Sequence, residues 1–332
     1  GDKVKLQKIS AEIKNEFMNA KKDESSPYWQ YKYYNTFEEY EKSVEFKGEV
    51  EVDINSETFK DSIRAAWMSQ FIGAAMGTMV EGYTSENLYK AFGDVKDYIR
   101  EPNTYNDDIT FELAFLDAFK EKGYDVTSKD IALSWIGLIP CGWSAEEIAL
   151  RNIRAGFMPP ESGSFNNPFN EWIGAQMRGA ICGMVAPGNP RLAAKLAWTD
   201  GEVSKLAWTD GEVSHINNGI LGEVFNAVMA SLSFVMSDVK EIVKTAISSI
   251  PKDSEYYSVV KFAYDSCEKY SDWHDALKDC QEKYIKYNWI HSYPNACCVW
   301  NRCRLQCRHD YACSWNSKGN AYHSKTTDRS GI

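Results

Sequence analysis

The stretch GILGEVFNAVMASLSFV, residues 219–235, decides the fold class. Leu221, Val224, Phe225, Val228, Leu232 and Val235 return at spacings of three and four, which draws one apolar stripe down a helix. Comparable stripes run through 62–79, 107–122, 128–136, 144–155, 170–184, 239–250, 254–269 and 273–288. Pro140, Pro159-Pro160, Pro168, Pro187-Gly188, Pro190 and Pro251 punctuate them. No useful run of alternating apolar and polar residues marks a strand. The pattern predicts an all-α protein, a single compact multi-helix domain of about nine or ten helices, with an irregular C-terminal tail.

Outward from this body, residues 1–53 are polar, with an aromatic cluster from Tyr28 to Tyr34 and an acidic run from Glu38 to Glu51. They read as a peripheral helix and an extension lying on the helical domain of residues 54–296. Within that domain KLAWTDGEVS at 195–204 recurs unchanged at 205–214. If both copies were helical, everything downstream would turn by about 280°, since each residue advances about 100°. Asp-Gly in each copy favours a turn, so the surplus copy is expected to bulge instead. Residues 297–332 differ in kind. Val299, Leu305 and Ile332 are their only Ile, Leu, Val, Met or Phe residues, and six basic residues against two acidic give +4 beside a body of −14. This tail is expected to be disordered, the native sequence stopping near Cys297 and the rest being out of frame or spliced.

The chain has 332 residues and a net charge of −10, which argues against general nucleic-acid binding. With 25% charged and 14% aromatic residues it is no disordered polyelectrolyte. No apolar run approaches the roughly 18–20 residues that span a bilayer. The start Gly1-Asp2-Lys3 is neither a signal peptide nor an initiator, so a segment is expected to have been removed before it. Five of the nine cysteines crowd into 297–313. The other four, Cys141, Cys182, Cys267 and Cys280, read as solitary buried thiols of a cytoplasmic protein. A zinc knuckle in the tail is the weaker alternative, because its cysteine spacings lack paired C-x-x-C units.

Four segments carry candidate chemistry. Asn106-Asp107-Asp108 opens a helix whose face runs Ile109, Leu113, Leu116, Phe119. It reads either as a cap with acidic first-turn residues or as half of a hard-cation site of oxygen ligands suited to Mg²⁺. Gly73 and Gly77 precede Glu81-Gly82, either as a tightly packed helix with its stop or as a mobile loop holding Glu81 above a site. Small residues at 174, 175, 179, 180 and 183, in and just after the run Gly174-Ala175-Gln176-Met177-Arg178-Gly179, permit either close helix contacts or the approach of a diphosphate or ribose to the backbone. Ser214-His215-Ile216-Asn217-Asn218 is an unusually polar start to the apolar helix.

In this order and spacing, from about 62 to 296, the segments resemble the ADP-ribosylglycohydrolase family, which includes the dinitrogenase-reductase-activating type. EWIGAQMRGAICGMVAPGNPRLAAKLAW is the most specific stretch, and HSYPNA at 291–296 resembles the lead into the family's last core helices. The resemblance implies an all-helical domain binding two Mg²⁺ in an acidic cleft. Asn106, Asp107 and Asp108 match its first metal motif, usually Thr-Asp-Asp, and Glu81 its cleft-covering glutamate. With Asp107 and Asp108, Glu81 is the implied catalytic set. Gly174, Ala175, Met177, Arg178, Ser214, His215 and Asn217 match segments lining the ADP-ribose pocket.

Ala74 stands where the family often has Asp, and the second metal motif, Asp-x-Asp, has no counterpart, since Asp310 and Asp328 stand isolated. The implied function is hydrolysis of an N- or O-glycosidic bond between ADP-ribose and an acceptor. ADP-ribose or an ADP-ribosylated substrate is the expected partner, with no membrane and no nucleic acid. The lost motif implies greatly reduced or absent activity. The alternative is an inactive remnant that binds ADP-ribose or a nucleotide.

Overall fold

A computed structural model of the chain describes residues 2–21, 23–80, 83–95, 97–101, 106–198 and 210–284. Residues up to Lys32 form one unit and those from Tyr33 a second. The first consists of α1 (Lys3–Asn19) and a short 3₁₀ turn at Pro27–Gln30. Asp2 caps α1 by accepting from the Lys5 backbone N–H.

The second unit has helices and no strand among its described residues, and many of its helices begin where the sequence supplies caps. Thr36 opens α2 (Phe37–Glu41), Ser56 opens α3 (Glu57–Thr78) and Thr84 opens α4 (Ser85–Phe92), each through its side-chain oxygen. Asn106 opens α5 (Asp107–Lys122), which Gly123 ends at φ 59°. Thr127 and Asp130 close a reciprocal capping box on α6 (Ser128–Leu138). After α7 (Ser144–Arg154) and the single turn α8 (Glu161–Ser164) come α9 (Gly174–Arg178) and α10 (Ala180–Met184). The single stripe expected at 170–184 is thus two short helices that meet at Gly179 and both pack on the later helix α13.

The duplicated segment divides its work. The first copy supplies Lys195–Trp198 to the end of α11 (Pro190–Trp198), and the second supplies all of α12 (Asp210–Ser214). Leu196, Ala197, Trp198, Glu212, Val213 and Ser214 are buried, so both halves serve the core. A Cβ on Gly211 would lie 2.8 Å from the Ala197 carbonyl oxygen, which places α12 directly against the end of α11. Pro190, expected to punctuate, stands at the start of α11, where its missing N–H costs nothing.

α13 (Asn217–Ser233) is the axis of the domain, with 13 of its 17 residues buried. The stripe read from sequence is only part of this, because Glu223, Asn226 and Ser231 are buried too. Asn226 Nδ2 donates to the Gln176 carbonyl at 2.8 Å and Ser231 Oγ to the Ala186 carbonyl at 2.6 Å. α14 (Val239–Ile247), α15 (Glu255–Lys269) and α16 (Trp273–Tyr284) complete the described body. The end of the polar extension belongs to this unit. Tyr40 is fully buried, stacks on Trp198 at 4.5 Å and donates to the Ser249 carbonyl at 2.7 Å.

Cys182 and Cys280 are buried as expected, but Cys141 is exposed in the turn before α7 and Cys267 is half-buried. All four are free thiols. No helix among the described residues is long and apolar enough to cross a membrane. The tail and its cysteines lie outside the described residues.

Candidate functional site

The first candidate segment folds as its local chemistry dictates. Asn106 Oδ1 accepts from the Ile109 N–H at 2.9 Å, so the oxygen considered as a metal ligand caps α5. Asp107 and Asp108 occupy the first turn, half-buried, where their charge complements the helix dipole. One turn further, Glu112 is fully buried, and Gln70 of α3, its amide nitrogen turned toward α5, donates to both carboxylate oxygens at 2.6 and 3.1 Å. Glu81 lies outside the described residues.

The third and fourth segments meet around one guanidinium. Arg178, at the end of α9, is completely buried. Its Nη1 donates to Glu146 Oε1 at 2.9 Å and its Nη2 to Ser214 Oγ at 3.0 Å, while Glu223 Oε2 stands 4.0 Å away. The guanidinium also lies over Trp135, 4.9 Å from the ring centroid, and near Phe111 at 5.7 Å. Planar, permanently charged and rich in donors, arginine suits such a crowded place better than lysine.

The charge of Glu146 favours one His215 tautomer. Arg178 can only donate, so Ser214 Oγ accepts from it, and the same hydroxyl bonds His215 Nδ1, 2.7 Å away. Nε2 of the neutral ring faces Glu146 Oε1 at 4.0 Å, and a proton on Nε2 suits that carboxylate. Burial, with the charge of Arg178, holds the imidazole well below its usual range. Burial pushes the Glu146 carboxyl up to about 7 against the pull of Arg178, and the negative charge of Asp107 adds to the rise. Asn167 braces the cluster, its Nδ2 donating to the Ala145 carbonyl at 3.1 Å and the Ser214 carbonyl at 3.0 Å.

Asn217 and Asn218 form a separate arrangement at the start of α13. Both Nδ2 groups donate to Glu171 Oε2, at 2.9 and 2.7 Å, and Asn218 also reaches Glu255 Oε2 at 3.0 Å. Asn217 holds a left-handed φ of 41° to do so. Of the remaining pocket candidates, Gly174 and Ala175 are buried and Met177 is half-buried against the core. The small residues make close contacts. A Cβ at Gly183 would fall 2.2 Å from the Ala227 carbonyl oxygen, and one at Gly174 would fall 1.7 Å from Glu146 Oε1.

The structure therefore brings together Arg178, Ser214 and His215, with Gly174 beside them and Asp107 close enough to act electrostatically on Glu146. It keeps Asn217 with Glu171 instead. Glu146, Glu112 and Glu223 are the residues sequence reasoning missed, and a signal existed for each. Glu146 precedes buried Ala149, Leu150 and Ile153 at i+3, i+4 and i+7, so it lies on the core face of α7. Glu223 shares the core face of α13 with Ile220 and Ala227, and Glu112 that of α5 with Ile109 and Phe115.

As a metal site the described part is incomplete. Asp107 and Asp108 supply hard oxygen donors, but no group of three or more His, Cys, Asp or Glu side chains among the described residues is placed to hold a metal ion. In comparisons with known proteins, residues 55–311 match a family model described as ADP-ribosylglycohydrolase. No curated protein and no solved structure matches.

Proposed function

The chain belongs to the ADP-ribosylglycohydrolase family, and from that premise we propose that it is a hydrolase-type protein directed at the glycosidic bond between ADP-ribose and an acceptor. The observation that carries the proposal is the extent of the family match. Residues 55–311 take in Glu81, the 106–108 motif, the 174–178 segment and the Ser214-His215-Asn217 segment together. In the reaction, water adds to the anomeric carbon as the bond to the acceptor breaks, and the acceptor leaves with the bonding pair and a proton. Glu81 takes the proton from the water. Gly174, Ala175, Met177, Arg178, Ser214, His215 and Asn217 form the wall against which ADP-ribose lies. Arg178, Ser214 and His215, being buried, act from behind that wall, while Met177 and Asn217 are half-buried.

Of the two Mg²⁺ that the family resemblance implies, Asp107 and Asp108 would hold one, and the sequence contains no Asp-x-Asp to hold the other. We therefore assign this chain greatly reduced or no turnover. That same observation favours a second reading, a remnant that binds ADP-ribose without cleaving it.

Two measurements separate the outcomes. Release of ADP-ribose from an ADP-ribosylated protein is followed chromatographically with and without Mg²⁺, and ADP-ribose binding is titrated calorimetrically. Binding with little or no release is the expected result. Robust Mg²⁺-dependent release would overturn the assignment of impaired activity, and absence of both release and binding would overturn the functional reading as a whole.

A further inference from the structure

Glu146 is where three separate sequence motifs converge. It stands in the first turn of α7 and takes Arg178 Nη1 from α9 at 2.9 Å. Its Oε1 faces His215 Nε2 at 4.0 Å. It feels the charge of Asp107 at the start of α5. Gly174, at the start of α9, leaves the space its carboxylate fills, since a Cβ there would lie 1.7 Å from Oε1. The resulting chain runs from Glu146 to Arg178, from Arg178 to Ser214 Oγ at 3.0 Å, and from Ser214 to His215 Nδ1 at 2.7 Å.

We propose that Glu146 is a positioning residue for the ligand pocket. Its carboxylate fixes the guanidinium of Arg178, and through it the hydroxyl of Ser214 and the ring of His215, in the arrangement that receives ADP-ribose. The proposal rests on the functional reading above and deepens it. Neither Arg178 nor His215 holds its geometry by packing alone. Arg178 is a buried cation that needs an anion at bonding distance, and His215 Nδ1 is bonded to a hydroxyl that Arg178 holds in place. Gly174 is then required less for the approach of ligand to backbone than for the room it leaves the carboxylate.

Two variants perturb this arrangement by different routes. Glu146→Gln keeps the shape and one acceptor oxygen but removes the charge. Gly174→Ala keeps the charge but drives the carboxylate from its place. Leu150→Ala, at a fully buried position of the same helix, destabilises without touching the chain of contacts. Thermal unfolding and calorimetric ADP-ribose affinity are measured on all three in the full chain. Glu146→Gln and Gly174→Ala are expected to weaken ADP-ribose binding at least tenfold, while Leu150→Ala lowers the melting temperature and leaves affinity within twofold. Unchanged affinity in the first two variants overturns the proposal, and so does loss of cooperative unfolding in both, which assigns Glu146 to folding alone.

If the parent chain itself binds no ADP-ribose, the functional reading fails on its own account. The positioning role is then read from the His215 ring by nitrogen–proton NMR. A shifted or faster-exchanging Nε2 proton in Glu146→Gln supports it, and an unchanged ring signal overturns it.

Discussion

Removing residues 200–209 leaves Trp198-Thr199-Asp210 and restores a single KLAWTDGEVS. Any ten-residue cut within the repeat yields the same protein, so one variant tests the matter. The expected result is a folded and slightly more stable chain. The core takes Leu196, Ala197 and Trp198 from the first copy and Glu212, Val213 and Ser214 from the second, with eleven residues, 199–209, between the two helices. Ala197 and Gly211 already lie against each other, and the cut makes them four apart in sequence, the spacing at which a helical chain brings such residues together. Closing a link of this length costs (3/2)RT ln n, about 2 kcal/mol against a one-residue link. Stiffness in the short link offsets part of that, leaving a gain of about 1–2 kcal/mol. For a domain of this size the gain corresponds to a rise of roughly 2–4 °C in melting temperature. Scanning calorimetry of both chains in one buffer measures it. A lower melting temperature, or loss of a cooperative transition, would refute the reasoning, because the two copies would then both be needed.

Three further outcomes follow from the buried charges and close contacts. Arg178→Met strands the carboxylate of Glu146, and urea unfolding should register a loss of about 3–5 kcal/mol. Glu146 titrates near 7 when folded against 4.5 for an ordinary glutamate, so the folded state keeps a proton that the unfolded chain releases between those values. The stability this contributes is full below pH 4.5 and is lost as pH rises through 7. The melting temperature of Glu146→Gln, relative to the parent, should therefore climb from pH 5 to pH 8 by way of this group; a difference that stays flat tells against it. Buried neutral His215 works in the opposite sense, losing stability as pH falls below 6.5, and does so in both proteins. Gly183→Ala would bring a methyl group within 2.2 Å of the Ala227 carbonyl oxygen, which lies in helix backbone and yields little, so a loss of about 1–3 kcal/mol is expected in thermal unfolding.

The helices most legible in the sequence are those with both signals present. α5 occupies 107–122 as expected, because Asn106 caps it and Gly123 stops it. Its buried face, however, carries Phe111, Ala114, Phe115 and Ala118, and Leu113, read as part of the apolar face, is exposed. α9 and α10 show the limit of periodicity. One stripe of suitable spacing covers both, and only contact with α13 reveals that the backbone breaks at Gly179. α11 was hidden for a different reason. A proline ends one helix as readily as it begins another, and what decides between them is the burial of Ala193, Ala194 and Ala197, which have too little side chain to draw a strong stripe.

The candidate site was visible as polar residues in unexpected places, and its organising residue was not. Arg178 and His215 announce themselves by standing beside small or apolar neighbours, and Asn106 by the two aspartates that follow it. Glu146 does not, since an acidic residue in the first turn of a helix already has a sufficient local explanation in the helix dipole. Only its register with Ala149, Leu150 and Ile153 contradicts that explanation, because it turns the carboxylate inward, where ionisation without a partner is costly. A partner must then exist somewhere in the chain. Periodicity shows that it is needed but not where it lies, for Arg178 is 32 residues away and on another helix. The same inference applies to Glu112 and Glu223, each on the core face of its own helix. A carboxylate in core register predicts a buried polar network before any fold is known, and the fold supplies the identity of its partner.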